Sequence, residues 1–195
     1  MKNLKLIPLL FIATIGCLLA SCEETSEDDE YANWEGRNIE YIQSIAQEAK
    51  ANTDSKWIRK LSYKLDSVDI NGNLVEHDIE DYVYCHIVEP GEGSGHPLST
   101  VSVNYRGRLI PTNSHPKGKV FDESYKGTLN PAINTPAEFS LNSLVEGWIT
   151  ALLHMTQGDI WRIYIPANLG YGESNKTDIP AYSALIFDIN LVDFE

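Results

Sequence analysis

Three strand-period segments and one helix-period segment fill the last hundred residues, and that arrangement restricts the fold more than anything else in the chain. Val101, Val103 and Tyr105 alternate, as do Trp161, Ile163 and Ile165, and then Leu185, Phe187, Ile189 and Leu191. A period of two turns one face of a pleated strand toward a core. Between the first and second of these segments, Leu144, Val145, Trp148, Ile149, Leu152 and Met155 recur at helical steps. Residues 99–195 therefore read as an antiparallel sheet with one helix across it, an α+β class. Ser143 and Glu146 are spaced for a capping box that would satisfy the first amides of that helix, and Gly158 reads as its stop. Gly147 inside it costs ~1 kcal/mol relative to alanine, and a close backbone approach there would explain its presence.

Residues 33–80 read as an N-terminal extension of helix and strand, and residues 81–195 as the main domain. Asn33 to Asn52 is helical by pattern: Ile39, Ile42, Ile45, Ala46 and Ala49 form one face, and Asn38, Glu40, Gln43, Gln47 and Lys50 the other. One amphipathic helix has to cover something. Packing on the C-terminal domain is the expectation, and pairing with a second copy is the alternative, so monomer and dimer both stay open. Trp57 to Val88 reads as β structure with a turn at Asn71-Gly72. Cys85, within the apolar run Tyr82 to Val88, reads as a small buried hydrophobe.

The first residues read as an address. Lys2 and Lys5 precede an apolar run from Leu6 to Ala20, shorter than the ~20 residues a spanning helix needs and proportioned like a secretory signal. Leu19-Ala20-Ser21-Cys22 resembles a bacterial lipobox. Residues 1–21 are thus expected to be a signal peptide, with Cys22 acylated and anchoring the protein to a membrane of the bacterial cell envelope. An ordinary signal with an incidental cysteine is the alternative. Residues 22–32 form an acidic tether, either a spacer or an export signal. With Cys17 lost and Cys22 acylated, Cys85 stands alone and no intrachain disulfide forms. A net charge of −13 excludes nucleic acid as a partner, since phosphate neutralisation needs clustered Lys and Arg. His77, His86, His96, His115 and His154 lack zinc-ligand spacing, and neither a nucleophile elbow nor a phosphate loop occurs. No metal and no cofactor are expected.

What remains is a succession of motifs: Val101 to Gly107, Val120-Phe121-Asp122, Phe139 to Trp148, Ile165 to Gly172, Ile179-Pro180 and Leu185 to Asp188. From about Glu89 to Glu195 it resembles the FKBP-type peptidyl-prolyl isomerases. The resemblance implies an antiparallel half-barrel sheet wrapped around one helix. It implies isomerisation of X-Pro bonds in exported polypeptides, and inhibition by macrolides of the family's class. It assigns Trp148 to the floor of a proline pocket, Tyr105, Phe121, Phe139, Leu144, Val145 and Phe187 to its walls, and Ile179 to its edge. Asp122 becomes the acid at the rim, while the Val145 amide and the Tyr171 hydroxyl become donors to substrate carbonyls. Such chemistry needs neither nucleophile nor metal. Amide rotation faces a barrier of ~18–20 kcal/mol, and a site that prefers the twisted amide lowers it.

Each residue also has a plainer reading. Trp148, Phe121, Phe139 and Phe187 fit core positions by periodicity alone, Tyr105 a satisfied buried tyrosine, Asp122 a turn residue and Tyr171 a loop anchor. The function has its alternatives too: a binding module that holds proline segments without turnover, or a purely structural lipoprotein. Departures from the family pattern are Ala137, where an aromatic residue is common, and a histidine-free loop Glu173 to Asp178. The long stretches 110–120 and 123–138 are expected near the pocket mouth.

Overall fold

The computed structural model describes residues 30–195, so the apolar leader, Cys22 and most of the acidic run lie outside the described residues. Helix α1 (Trp34–Ala51) is flanked by Asn33 and Asn52, both left-handed, a conformation asparagine tolerates better than most residues. Asn52 also shapes the exit. Its Oδ1 accepts from the Trp57 amide at 2.9 Å, and its Nδ2 donates to the Trp57 carbonyl at 3.2 Å. That grip sets the start of β1 (Trp57–Leu61).

The remaining strands are β2 (Tyr82–Glu89), β3 (Thr100–Arg108), β4 (Val120–Glu123), β5 (Ala137–Ser140), β6 (Ile160–Ile165) and β7 (Leu185–Phe194). They form one antiparallel sheet in the order β1-β2-β6-β7-β3-β4. β5 pairs with the first half of β3 and β4 with the second. Helix α2 (Glu146–Leu152) crosses one face and buries Trp148, Ala151 and Leu152. The α+β class and the sheet around one helix are as the sequence reads.

The extension is part of this sheet. β1 is its edge strand, and α1 covers the face opposite α2, so β2 lies between two helices. That explains why Val83, Tyr84 and Cys85, three consecutive residues, are all buried, where a one-sided strand would alternate. Burial pushes the Cys85 thiol pKa up to about 12, so it packs as an apolar side chain. Tyr41 and Trp57 both meet Tyr164 on the α1 side.

Four local expectations fail for identifiable reasons. Ser143 does not cap α2: its hydroxyl donates to the Ser140 carbonyl, and the residue at the cap position is Val145. Glu146 instead accepts from the Ser62 hydroxyl and pairs with Lys64 at 2.7 Å, tying the extension to the start of α2. Gly158 lies beyond the helix end in the turn to β6, at φ +93°. Asn38 belongs to the buried face of α1, at 2% exposure, while Ile39 is partly exposed. Residues 62–78 are mostly irregular, with only a bridge between Val68 and Leu74 around the Asn71-Gly72 turn. Gly147 meets its expectation: a Cβ there would lie 2.4 Å from Ile165 Cγ2.

Candidate functional site

The start of α2 points into a hollow of about 310 Å³ between the helix and the open end of the sheet. Its floor is the Trp148 indole, 3% exposed. Three rings stand edge-on to it: Phe187 at 5.0 Å between centroids, Tyr105 at 5.5 Å and Phe139 at 6.1 Å. They arrive from β7, β3 and β5, and are fixed by the register that pairs Val101 with Phe139 and Gly107 with Phe187. Edge-to-face packing suits the ring quadrupoles and gives each ring one orientation. Leu144 and Val145 complete the apolar wall, and Tyr171 reaches in from the loop after β6.

Polar groups are few and placed at the rim. The Tyr105 hydroxyl donates to Asp122 Oδ2 at 2.8 Å, which orients the acid from β4. Burial, together with that bond, raises the Tyr105 phenol pKa well above its ordinary value, so it remains a donor at neutral pH. Burial and then the Asp122 charge raise that of Tyr171. The Tyr171 hydroxyl donates to no protein group among the described residues, and a Lys176 ammonium lies 5.3 Å from its ring centroid. The Val145 amide, one residue before α2, likewise has no protein acceptor among them. Two donors without partners therefore flank an apolar cup. The geometry suits a ring-shaped apolar group carried between two carbonyls.

Eight of the ten pocket residues read from the sequence share this hollow: Tyr105, Asp122, Phe139, Leu144, Val145, Trp148, Tyr171 and Phe187. Phe121 stands behind it, 5.4 Å from Phe187 and edge-on. Both rings rest on Gly107, where a Cβ would meet them at 2.5–2.6 Å. Ile179 is buried and faces a separate hollow beside Tyr31, Lys119 and Asp178. Ser143 also lines the pocket, a place the sequence does not signal because its spacing to Glu146 reads as a helix cap. The two long loops do not line the hollow. The first turns toward the N-terminal side, where Thr112 and His115 hold Glu30 at 2.5 and 2.9 Å. The second is held from beneath by Arg106, which donates to the Tyr125 and Gly127 carbonyls.

Comparisons with known proteins agree on one family. Residues 92–192 match a family model described as FKBP-type peptidyl-prolyl cis-trans isomerase. The peptidyl-prolyl cis-trans isomerase Mip of Coxiella burnetii is 42% identical over 108 residues, which are 54% of this chain and 42% of that protein. The FKBP-type isomerase FkpA of Buchnera aphidicola is 30% identical over 164 residues, 82% of this chain and 57% of the relative. The chain thus spans about half the length of the curated relatives it matches. The crystal structure of FkpA from Escherichia coli aligns with a TM-score of 0.56 at 27% identity, covering 85% of this chain and 61% of that one.

Proposed function

The chain belongs to the FKBP-type peptidyl-prolyl cis-trans isomerase family, and on that premise we propose that it isomerises X-Pro bonds in polypeptides of the bacterial cell envelope. The observation that carries this reading is the aromatic cup around Trp148, with an oriented acid and two donors without protein partners at its rim. The proline ring packs on Trp148 between Tyr105, Phe139 and Phe187. Transfer of the adjoining amide out of water weakens the planar, more polar form relative to the twisted one. The Val145 amide and the Tyr171 hydroxyl hold the flanking carbonyls, so one side of the bond is fixed while the other turns. Asp122, held by Tyr105, places its charge beside the rotating carbonyl region. Macrolides of the family's inhibitor class compete for the same cup.

The address belongs to this proposal as well. Residues 1–21 act as the export signal, acylated Cys22 as the anchor, and the acidic residues after it as a tether. Fatty-acid labelling of wild type and Cys22→Ser tests that part, and absence of label on the wild type removes the anchor.

Activity is tested by cis-to-trans relaxation of short X-Pro peptides. The purified protein is expected to accelerate it. Asp122→Val and Tyr171→Phe are expected to lose about tenfold each, a rim hydrogen bond or charge being worth on the order of 1–2 kcal/mol. Trp148→Ala removes the floor and most of the activity. A folded wild-type protein that binds proline peptides without accelerating relaxation would be a binding module instead.

A further inference from the structure

We infer that helix α1, which lies outside the segment matched by the family model, positions the Tyr171 side of the pocket through Asn38 and Trp34. This rests on the isomerase reading above. Tyr171 is carried by a segment that follows β6 and the short 3-10 turn Ala167–Leu169 and re-enters the sheet at Leu185. Between them there is little regular structure, only a bridge from Lys176 to Ile179. Such a segment takes its shape from its anchors.

Beside Tyr171, the Gly170 and Gly172 amides donate to the Ala167 carbonyl at 3.0 and 2.8 Å, and a second chain of contacts ties the segment to α1. Gly172, next to Tyr171, accepts from the Tyr182 amide at 2.7 Å. Tyr182 holds φ at +61°, a conformation an aromatic residue keeps only when its surroundings impose it. The following two residues are gripped by the helix. Trp34 Nε1 donates to Ser183 Oγ at 2.9 Å, and that hydroxyl donates on to the Pro180 carbonyl at 2.7 Å. The Ala184 amide donates to Asn38 Oδ1 at 2.8 Å, and Asn38 Nδ2 returns a bond to the Trp34 carbonyl at 2.6 Å. Asn38, Ser183 and Ala184 are all buried.

Asn38, Tyr182 and Ala184 line a hollow of about 250 Å³ between the helix and the segment, and Asn38 is what gives the Ala184 amide a fixed acceptor at its edge. If Asn38 is lost, a buried amide at Ala184 loses its acceptor. The segment then relaxes toward solvent, and Tyr171 moves with it through Tyr182 and Gly172. Neither Asn38 nor Trp34 lines the pocket, so both are positioning residues. A displacement on the order of 1 Å at a substrate-holding group is enough to lower turnover strongly.

The test is a set of variants read by kcat and KM for an X-Pro peptide. Asn38→Leu keeps the volume and removes both bonds. It is expected to lower kcat/KM about fivefold to tenfold, the fold-change of losing the Ala184 bond, the one of the two that reaches the segment. Asn38→Asp still accepts from Ala184 but gives up the donor to the Trp34 carbonyl, so it is expected to lose less than Asn38→Leu. In a Tyr171→Phe background, Asn38→Leu is expected to add less than about twofold, because both losses act through one hydroxyl. Ile45→Val, a comparable destabilisation of α1 away from the segment, is expected to leave kcat/KM unchanged. If Asn38→Leu fails to fold, Ser183→Ala removes the Trp34 contact and is expected to show the same non-additivity. Wild-type kcat/KM in Asn38→Leu, or losses that multiply with Tyr171→Phe, would overturn the inference. Should the wild type bind proline peptides without turnover, the isomerase reading fails separately. The decision then passes to the Tyr171 ring resonances, which Asn38→Leu must shift.

Discussion

The Tyr105–Asp122 pair shows how a core residue becomes part of a site. The Tyr105 ring is 8% exposed and packs against Trp148 and Phe139, yet its hydroxyl ends at the rim on Asp122. Tyr105→Phe keeps every ring contact and frees the acid. It is expected to lower catalysed X-Pro relaxation about fivefold, with stability changed by roughly 1 kcal/mol. A variant as fast as wild type would mean that the orientation of Asp122 is irrelevant. On the sheet's other face, Asp188 joins Arg162 at 2.6 Å and Arg108 at 2.7 Å. Burial pushes its carboxyl pKa up, but the hydrogen bonds and charges of Arg162 and Arg108 outweigh burial and hold it below the ordinary range. A depressed carboxyl stabilises the fold fully above the unfolded value of about 4 and loses that contribution as pH falls through the folded value. Asp188→Asn is expected to cost about 2 kcal/mol at pH 7, less than for a fully buried pair because the Arg162 side chain is 43% exposed. In denaturant titrations, the gap between variant and wild type should narrow as the pH drops below 4. A gap independent of pH would remove the ion pair as its cause.

At the level of elements, α2 and the strand behind it are fitted to each other. Gly147 normally invites replacement, since alanine favours a helix by ~1 kcal/mol. Here an added Cβ would meet Ile165 side-chain atoms at 2.4–3.0 Å, and Ile165 is fully buried. Gly147→Ala is therefore expected to destabilise by about 1–3 kcal/mol, the usual range for overpacking. It should also slow catalysis by tilting Trp148, its neighbour. Adding Ile165→Ala should recover part of the Gly147→Ala loss, and a double variant whose two losses merely add would place the clash elsewhere. The helix, the alternating strands and the pocket rings were legible in the sequence because each rests on local periodicity and on spaced motifs. The ends of α2 were not. Ser143 and Glu146 have the spacing of a cap, but Glu146 finds Ser62 and Lys64, more than eighty residues away in the chain. Asn38 reads as part of the polar face for the same reason, although it is buried. A polar residue paired in the interior has the same local pattern as one facing water, and only the tertiary partner at Ala184 separates them.

For the whole molecule, the question is whether the extension and the main domain are one cooperative unit. The sequence places a boundary near residue 80, just before the strand and Pro90-Gly91 turn that resemble the start of the family's domain. The sheet runs across that point: β1 pairs with β2 along five residues, from Trp57 opposite His86 to Leu61 opposite Tyr82. α1 closes the outer face over Tyr84, Tyr164 and Trp57, and Ser62, Lys64 and Tyr63 hold α2. Removing the extension would uncover a buried strand face and leave the Ala184 amide without its acceptor. Subunits that share an edge strand and a core lose their independence, because neither side buries enough apolar surface alone. Calorimetry of the protein is therefore expected to show one transition, with calorimetric and van't Hoff enthalpies equal. Amides of α1 and of β7 should exchange with the same free energy of opening, up to fraying at the helix ends. Two resolved transitions, with α1 amides exchanging well before those of β7, would make the helix a loosely attached cover, and its hold on the Tyr171 segment would then be too weak to shape the pocket.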